Sequence, residues 1–185
     1  DRVRSLGIFK KVETKVYDGS NENLKIVDLI VEEQPTGEIS LAAGVGTSGS
    51  TIGGGITEKN FLGKGINLRA DLSISEEKVK GQFVYSKPNF NYSDNTLFTS
   101  VRSTTTDRKK DFGYESNDFG FSFGTKFEQY ENLFFSPEID LSVEELKTDS
   151  TATASMKKQA GNYEDFYFNY GLDYDLRNST YKPSS

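Results

Sequence analysis

A few short stretches of this 185-residue chain carry residue types with chemical use. The carboxylate pairs Glu144/Glu145 and Asp173/Asp175 are of the type that flanks a glycosidic bond, one acid protonating the leaving oxygen and the other attacking or activating water. Gly44-Val45-Gly46-Thr47-Ser48-Gly49 spells G-x-G-x-x-G, the string that lets a backbone approach a dinucleotide pyrophosphate. Asp18-Gly19-Ser20-Asn21-Glu22 offers oxygen ligands of the kind calcium takes, and Asp107-Arg108-Lys109-Lys110-Asp111 concentrates cations suited to phosphate.

Each signal weakens once the element that must position it is considered. The dinucleotide string needs a helix after its glycines, and Thr51-Ile52-Gly53-Gly54-Gly55-Ile56 is no helix former. The calcium stretch lacks the full ligand pattern and reads as a solvated hairpin turn. Glu144, Asp173 and Asp175 fall on the polar parity of alternating segments, where charge is expected without chemistry. The 107–111 stretch reads as a solvated loop, with contact to phosphates as the functional alternative. Composition narrows the field further. There is no Cys, His or Trp, so Ser-His-Asp and Cys-His machinery, disulfides and an ordinary zinc site are excluded. With 28 acidic against 22 basic residues, net charge -6 and scattered Lys and Arg, a dedicated nucleic-acid surface is excluded too. No cofactor, no metal and no enzymatic activity are expected.

The elements themselves announce period two. Ile66, Leu68, Ala70, Leu72 and Ile74 alternate with Asn67, Arg69, Asp71, Ser73 and Ser75, which a strand satisfies and a helix does not. Phe119, Phe121, Phe123 and Phe127 repeat the pattern, as do Ile139, Leu141 and Val143, and then Phe166, Phe168, Tyr170, Leu172, Tyr174 and Leu176. Weaker alternation at 39–45, 52–56, 79–85 and 97–101 brings the candidate strands after Thr36 to eight. A soluble antiparallel sandwich is one reading. A transmembrane β-barrel fits better on three counts. The strong strands are about 9 to 12 residues, the length needed to cross a bilayer at a tilt. Their second face is charged and small, as a wet lumen requires. Compact connections at 59–65, 87–95 and 129–132 oppose long polar ones at 107–117 and 147–164, although hairpins at 47–50 and 76–78 break that asymmetry. No run approaches the roughly 20 apolar residues of a helical span.

Residues 1–35 differ. A helix tail ends at Gly7, and strands at 9–17 and 24–33 flank the turn Asp18-Gly19-Ser20-Asn21. A helix end and one hairpin cannot bury a core. The expected division is therefore 1–35 as the end of a soluble domain and 36–185 as barrel, joined at Pro35-Thr36-Gly37.

Several motifs carry a family resemblance. Leu6-Gly7-Ile8-Phe9-Lys10-Lys11-Val12 resembles the helix-to-strand step of the last POTRA repeat in the BamA family of outer-membrane assembly factors, and Val31-Glu32-Glu33-Gln34-Pro35-Thr36-Gly37 resembles its passage into the barrel. Asn60-Phe61-Leu62-Gly63-Lys64-Gly65 is similar to that family's turn between barrel strands two and three, and Asp175-Leu176-Arg177-Asn178 with Pro183-Ser184-Ser185 to its turn after strand eight.

The resemblance implies a 16-stranded barrel of which these strands form the first half, in the cell outer membrane with the N-terminal segment in the periplasm. It implies an insertase that folds client β-barrels without a covalent step, with nascent clients, accessory lipoproteins, outer-membrane lipid and lipopolysaccharide as partners. Its template edge, the lateral gate, would be strand one, here Gly37, Ile39, Leu41, Gly44, Val45 and Gly46. Seven glycines at 37, 44, 46, 49, 53, 54 and 55 are expected to weaken this edge, and its short apolar band to thin the bilayer. The aromatic strands at 119–127 and 166–174 are expected to be a structural lipid-facing band. Competing readings are a TamA-like or two-partner secretion transporter of the same superfamily, or a complete eight-stranded structural barrel or adhesin.

Overall fold

The computed structural model describes residues 2–21, 23–46 and 49–176. Their contacts divide into two units, one reaching Gly37 and one running from Glu38 to Asp175.

In the first unit a helix α1 (Arg2–Ser5) stops at Gly7, whose φ of 68° is the left-handed conformation that ends helices and that glycine adopts without steric cost. Strands β1 (Phe9–Asp18) and β2 (Lys25–Glu33) then pair antiparallel. The connecting turn closes by backbone hydrogen bonds from Gly19 to Leu24 and from Leu24 to Asn21. Both faces of β2 carry apolar side chains, Ile26 and Ile30 on one parity and Val27, Leu29 and Val31 on the other, and all are exposed within the described residues.

The second unit is one eight-stranded antiparallel sheet in sequence order, from β3 (Gly37–Gly46) through β4 (Gly49–Phe61), β5 (Ile66–Ser75), β6 (Lys78–Lys87), β7 (Thr96–Arg108), β8 (Tyr114–Tyr130) and β9 (Leu133–Thr148) to β10 (Gly161–Tyr174). Every connection joins neighbours, and β3 and β10 are its two edges. A 3-10 turn (Phe90–Tyr92), a short helix α2 (Lys109–Phe112) and a helix α3 (Ala154–Gln159) occupy connections.

The faces are inverted relative to a soluble sheet. Large apolar side chains such as Phe119, Phe123, Leu141 and Phe166 lie exposed on one face. The other face shelters polar groups: Ser122 is 2% exposed, Ser142 8% and Asp140 9%. Period-two alternation divides the faces as expected, but burial sits on the polar side. A soluble sandwich buries the apolar face, so that reading fails.

The strands are longer than their apolar cores, and this corrects the expected loops. Alternating apolar residues on β7 end at Val101, yet the ladder with β8 continues to Arg108↔Tyr114. Likewise β8 and β9 pair as far as Tyr114↔Thr148. The polar stretches at 107–117 and 147–164 are therefore strand at both ends, leaving true connections of 109–113 and 149–160. Backbone hydrogen bonding, unlike apolar patterning, has no reason to stop where the apolar band does.

Candidate functional site

Every residue of the expected template edge lies on β3, at one margin of the sheet. Ile39, Leu41 and Val45 share the apolar face, 76%, 86% and 86% exposed. Ser40, Ala42, Gly44 and Gly46 share the polar face. The seven glycines expected to act together separate into distinct kinds. A Cβ at Gly44 or Gly46 would meet nothing within 4 Å. A Cβ at Gly54 would lie 3.0 Å from Leu41 Cδ2, and one at Gly55 would lie 2.6 Å from Asp71 Oδ1 and 3.1 Å from Ser40 Oγ. Gly54 and Gly55 are thus places where side chains of β3 and β5 lean over β4. Gly44 and Gly46 are unfilled, so they loosen the backbone without a packing return.

The opposite half of the sheet uses the same device with charge. Arg102 on β7 crosses β8 at Gly120, whose Cβ would overlap the guanidinium, and donates two hydrogen bonds to the Asp140 carboxylate on β9. One of these, from the second terminal nitrogen, is 2.9 Å long, and Asp118 on β8 stands 3.6 Å from Arg102 Nε. Phe98 covers Gly124 in the same way, reaching the level of the Pro137 carbonyl. Between them Ser100 and Ser122 share a 2.8 Å hydrogen bond. Lys126 pairs with Asp173 at 2.9 Å and lies over the Phe134 ring, tying β8 to β10 across β9. On the apolar face, hydroxyls are satisfied by carbonyls: Thr99 donates to Ser122 O at 2.7 Å and Thr125 to Thr96 O at 3.0 Å.

Sequence reading missed the Arg102 clamp. The signal was there in parts, a lone Arg in a run of Ser and Thr, a glycine among phenylalanines and an Asp among isoleucine and leucine. Only the register Arg102↔Gly120↔Ser142, with Asp140 one inward position away, brings them together.

The hexapeptide Asn60 to Gly65 forms the turn between β4 and β5. Asn60 Oδ1 accepts from the Gly65 amide at 2.8 Å, and Asn60 N donates to Glu58 Oε1 at 2.7 Å. Leu62, Gly63 and Gly65 take φ of 56°, 69° and 63°, so the two glycines are required by backbone conformation, while Leu62 is strained and exposed at the tip.

The remaining chemical candidates are dispersed. Glu144 and Glu145 are adjacent on a strand and point to opposite faces, and Glu145 pairs with Lys147 at 2.8 Å. Asp173 holds Lys126. The glycine string is followed by strand β4, and its Thr47 and Ser48 lie outside the described residues. Asp18 is bound by Lys25, and Glu22 is also outside them. In the 107–111 stretch, Arg108 pairs with Glu77 at 2.9 Å and Lys109 with Glu115. The Lys109 ammonium is held above its ordinary range, first by that hydrogen bond. Among the described residues no cluster of three His, Cys, Asp or Glu stands ready for a metal. The motif from Arg177 onward lies outside the described residues.

What the geometry offers is a wall clamped on its polar face across β7–β9 and open at Gly44 and Gly46 on β3. The sequence model of the Omp85 superfamily domain matches residues 60–185 of this chain. The chain belongs to the Omp85 superfamily. Its fold also matches the crystal structure of BamA from Haemophilus ducreyi lacking POTRA domains 1–3, with a TM-score of 0.75 and 23% identity over 98% of this chain and 38% of that one. The Omp85 chain therefore spans under two fifths of the length of that structure. Membership places it in the outer membrane. There the inverted faces become intelligible: the apolar face meets hydrocarbon and the polar face the barrel interior.

Proposed function

We propose that this Omp85 chain is the first half of a 16-stranded BamA-like barrel that folds and inserts other β-barrels into the outer membrane, with β3 as the template edge of a lateral gate. An unpaired strand in lipid leaves backbone donors and acceptors unsatisfied at several kcal/mol each. A margin that parts from its own barrel presents those groups to a client strand. The observation that carries this reading is that Gly44 and Gly46 on β3 meet no side chain of a neighbouring strand, next to a sheet whose far half is clamped across three strands.

Residues 1–35 are read as the end of a periplasmic POTRA repeat, supported by the helix stop at Gly7 and by the 98% coverage of the structural match. The turns at 62–65, 88–95 and 131–132 then face the periplasm. Clients and accessory assembly lipoproteins are the proposed partners. The lipid-facing side of β4 carries Ile52, Ile56 and, past a bulge and Glu58, Phe61, a sparser band than Phe135, Ile139, Leu141 and Val143 on β9, which supports a thinned bilayer beside the gate.

In the full-length protein, a disulfide locking β3 to the last barrel strand is expected to stop client insertion and to be relieved by reductant. Insertion that proceeds at the same rate in the oxidised protein would sink the gate.

A further inference from the structure

On the lipid-facing side of β3–β5 the wall is furrowed. Register pairing sets Gly54 on β4 opposite Leu72 on β5, and Leu72 opposite Gly81 on β6, so small residues flank a single leucine at one level. The neighbouring level pairs Ile56 with Ala70. The missing side chains leave an open furrow of about 470 Å³ between Leu41, Ile52, Ile56, Leu72 and Ile74, floored by Gly54 and Ala70. Its lining holds no charged side chain, and the one hydroxyl, of Ser40, belongs to the opposite face and is directed to the Gly55 carbonyl at 3.4 Å. The corresponding face of β8–β10 carries Phe119, Phe121, Phe123, Phe166 and Phe168 at its centre, where β4 and β5 have Gly54 and Ala70.

We propose that this furrow is a docking site for one phospholipid acyl chain. The occupant follows from continuity with the membrane-facing surface, since the furrow opens on the same parity as Val79 and Phe83. It follows also from chemistry. A peptide segment brings amides that need partners, and an aliphatic lining supplies none. A hydrocarbon chain needs only shape. Within a bilayer such docking gains nothing from the hydrophobic effect, because lipid tails are as apolar as Leu; its driving force is dispersion contact along a surface that fits. The site thus selects for an extended, unbranched chain lying beside β3. The inference rests on the membrane placement of this face and not on the insertase reading, so loss of client insertion leaves it standing.

The test uses the full-length protein in phosphatidylethanolamine and phosphatidylglycerol vesicles with a trace of phospholipid bearing a diazirine midway along its acyl chain. After irradiation, adducts are mapped by mass spectrometry of peptides. Adducts on 39–56 and 66–75 are expected to exceed those on 119–123 and 139–143 several-fold. Ala70→Leu fills the furrow and is expected to remove the excess. Leu72→Ala widens it and is expected to raise it. Both positions are exposed to lipid, and heat-modifiable migration of each variant reports that it has folded. Equal labelling of the two walls overturns the proposal, as does an excess that survives Ala70→Leu. Labelling of the furrow by a diazirine carried on a client strand, with no excess from the lipid probe, overturns it in favour of a protein occupant.

Discussion

On β8, Gly120 and Gly124 are covered by the side chains of Arg102 and Phe98; on β3, Gly44 and Gly46 are covered by nothing within 4 Å. The same residue type thus does opposite work at the two ends of one sheet. Where a larger side chain from a neighbouring strand crosses it, glycine makes room for an interaction spanning three strands. Where nothing crosses, it only loosens the backbone. The β8 glycines convert a two-strand ladder into a three-strand truss, and Gly44 and Gly46 on β3 receive no such crossing side chain. Counting glycines therefore says little about which strand is weak until their neighbours are known.

Removing Arg102 tests the reinforced half most severely. Asp140 is 9% exposed, and Arg102→Ala strands its charge with Asp118 and Glu138 on the same face. Breaking a sheltered pair in this way is expected to cost about 3–5 kcal/mol, read as a lowered urea midpoint of the intact barrel in vesicles. The bare half supplies the control. Arg69 bonds Asp71 at 2.6 Å on the same strand with 62% of its side chain exposed, and Arg69→Ala is expected to cost less than about 1 kcal/mol. Equal losses in the two variants would erase the distinction between the halves.

A glycine pair sharpens it. Gly120→Ala forces the guanidinium out of its path and is expected to destabilise by about 1–3 kcal/mol, the usual range for overpacking. Gly44→Ala meets nothing and lies in an ordinary extended strand, so it is expected to stabilise by about 0.4–1 kcal/mol through the unfolded chain. Under the proposed function, Gly44→Ala combined with Gly46→Ala also slows client insertion while raising the urea midpoint. A firmer edge with unchanged insertion would separate the weakness of β3 from any role in assembly.

The sheet was legible because period-two alternation is a one-dimensional signal: the 66–75 segment became β5 at the expected bounds. Gly7 was readable as a helix stop for a similarly local reason, since only its own φ matters. The ends of β7 to β10 were not, because Thr104, Thr106 and Glu115 carry no apolar mark and their ladder is held by backbone groups that every residue has. Nor was the division among glycines. Gly44 and Gly55 look alike in the chain, and what separates them is Asp71 sixteen positions beyond the second, placed there by the β4–β5 register. The clamp was least visible, since it joins three strands and depends on two registers at once.

The connections offer the smallest and most local contrast. Between β5 and β6 only residues 76–77 intervene, whereas the 149–160 connection folds back so that Ala152, 6% exposed, sits against Gly113, and Asp149 N donates to the Gly113 carbonyl at 2.8 Å. Asp149 organises this return. Its carboxylate accepts from the Thr151 hydroxyl at 2.6 Å and the Thr151 amide at 2.7 Å, and these bonds hold its pKa below the ordinary value, the hydroxyl first. A depressed carboxylate contributes its stabilisation fully above the unfolded-state pKa and loses it as pH falls through the folded one. The turn is therefore expected to stay intact through the pH at which an unconstrained Asp protonates and to release only below it, as followed by the Thr151 amide shift in the intact barrel. Thr151→Val removes the larger contribution and keeps the amide, so its midpoint is expected to rise toward the ordinary Asp value. Coincident midpoints would mean that the Thr151 hydroxyl does not set the turn.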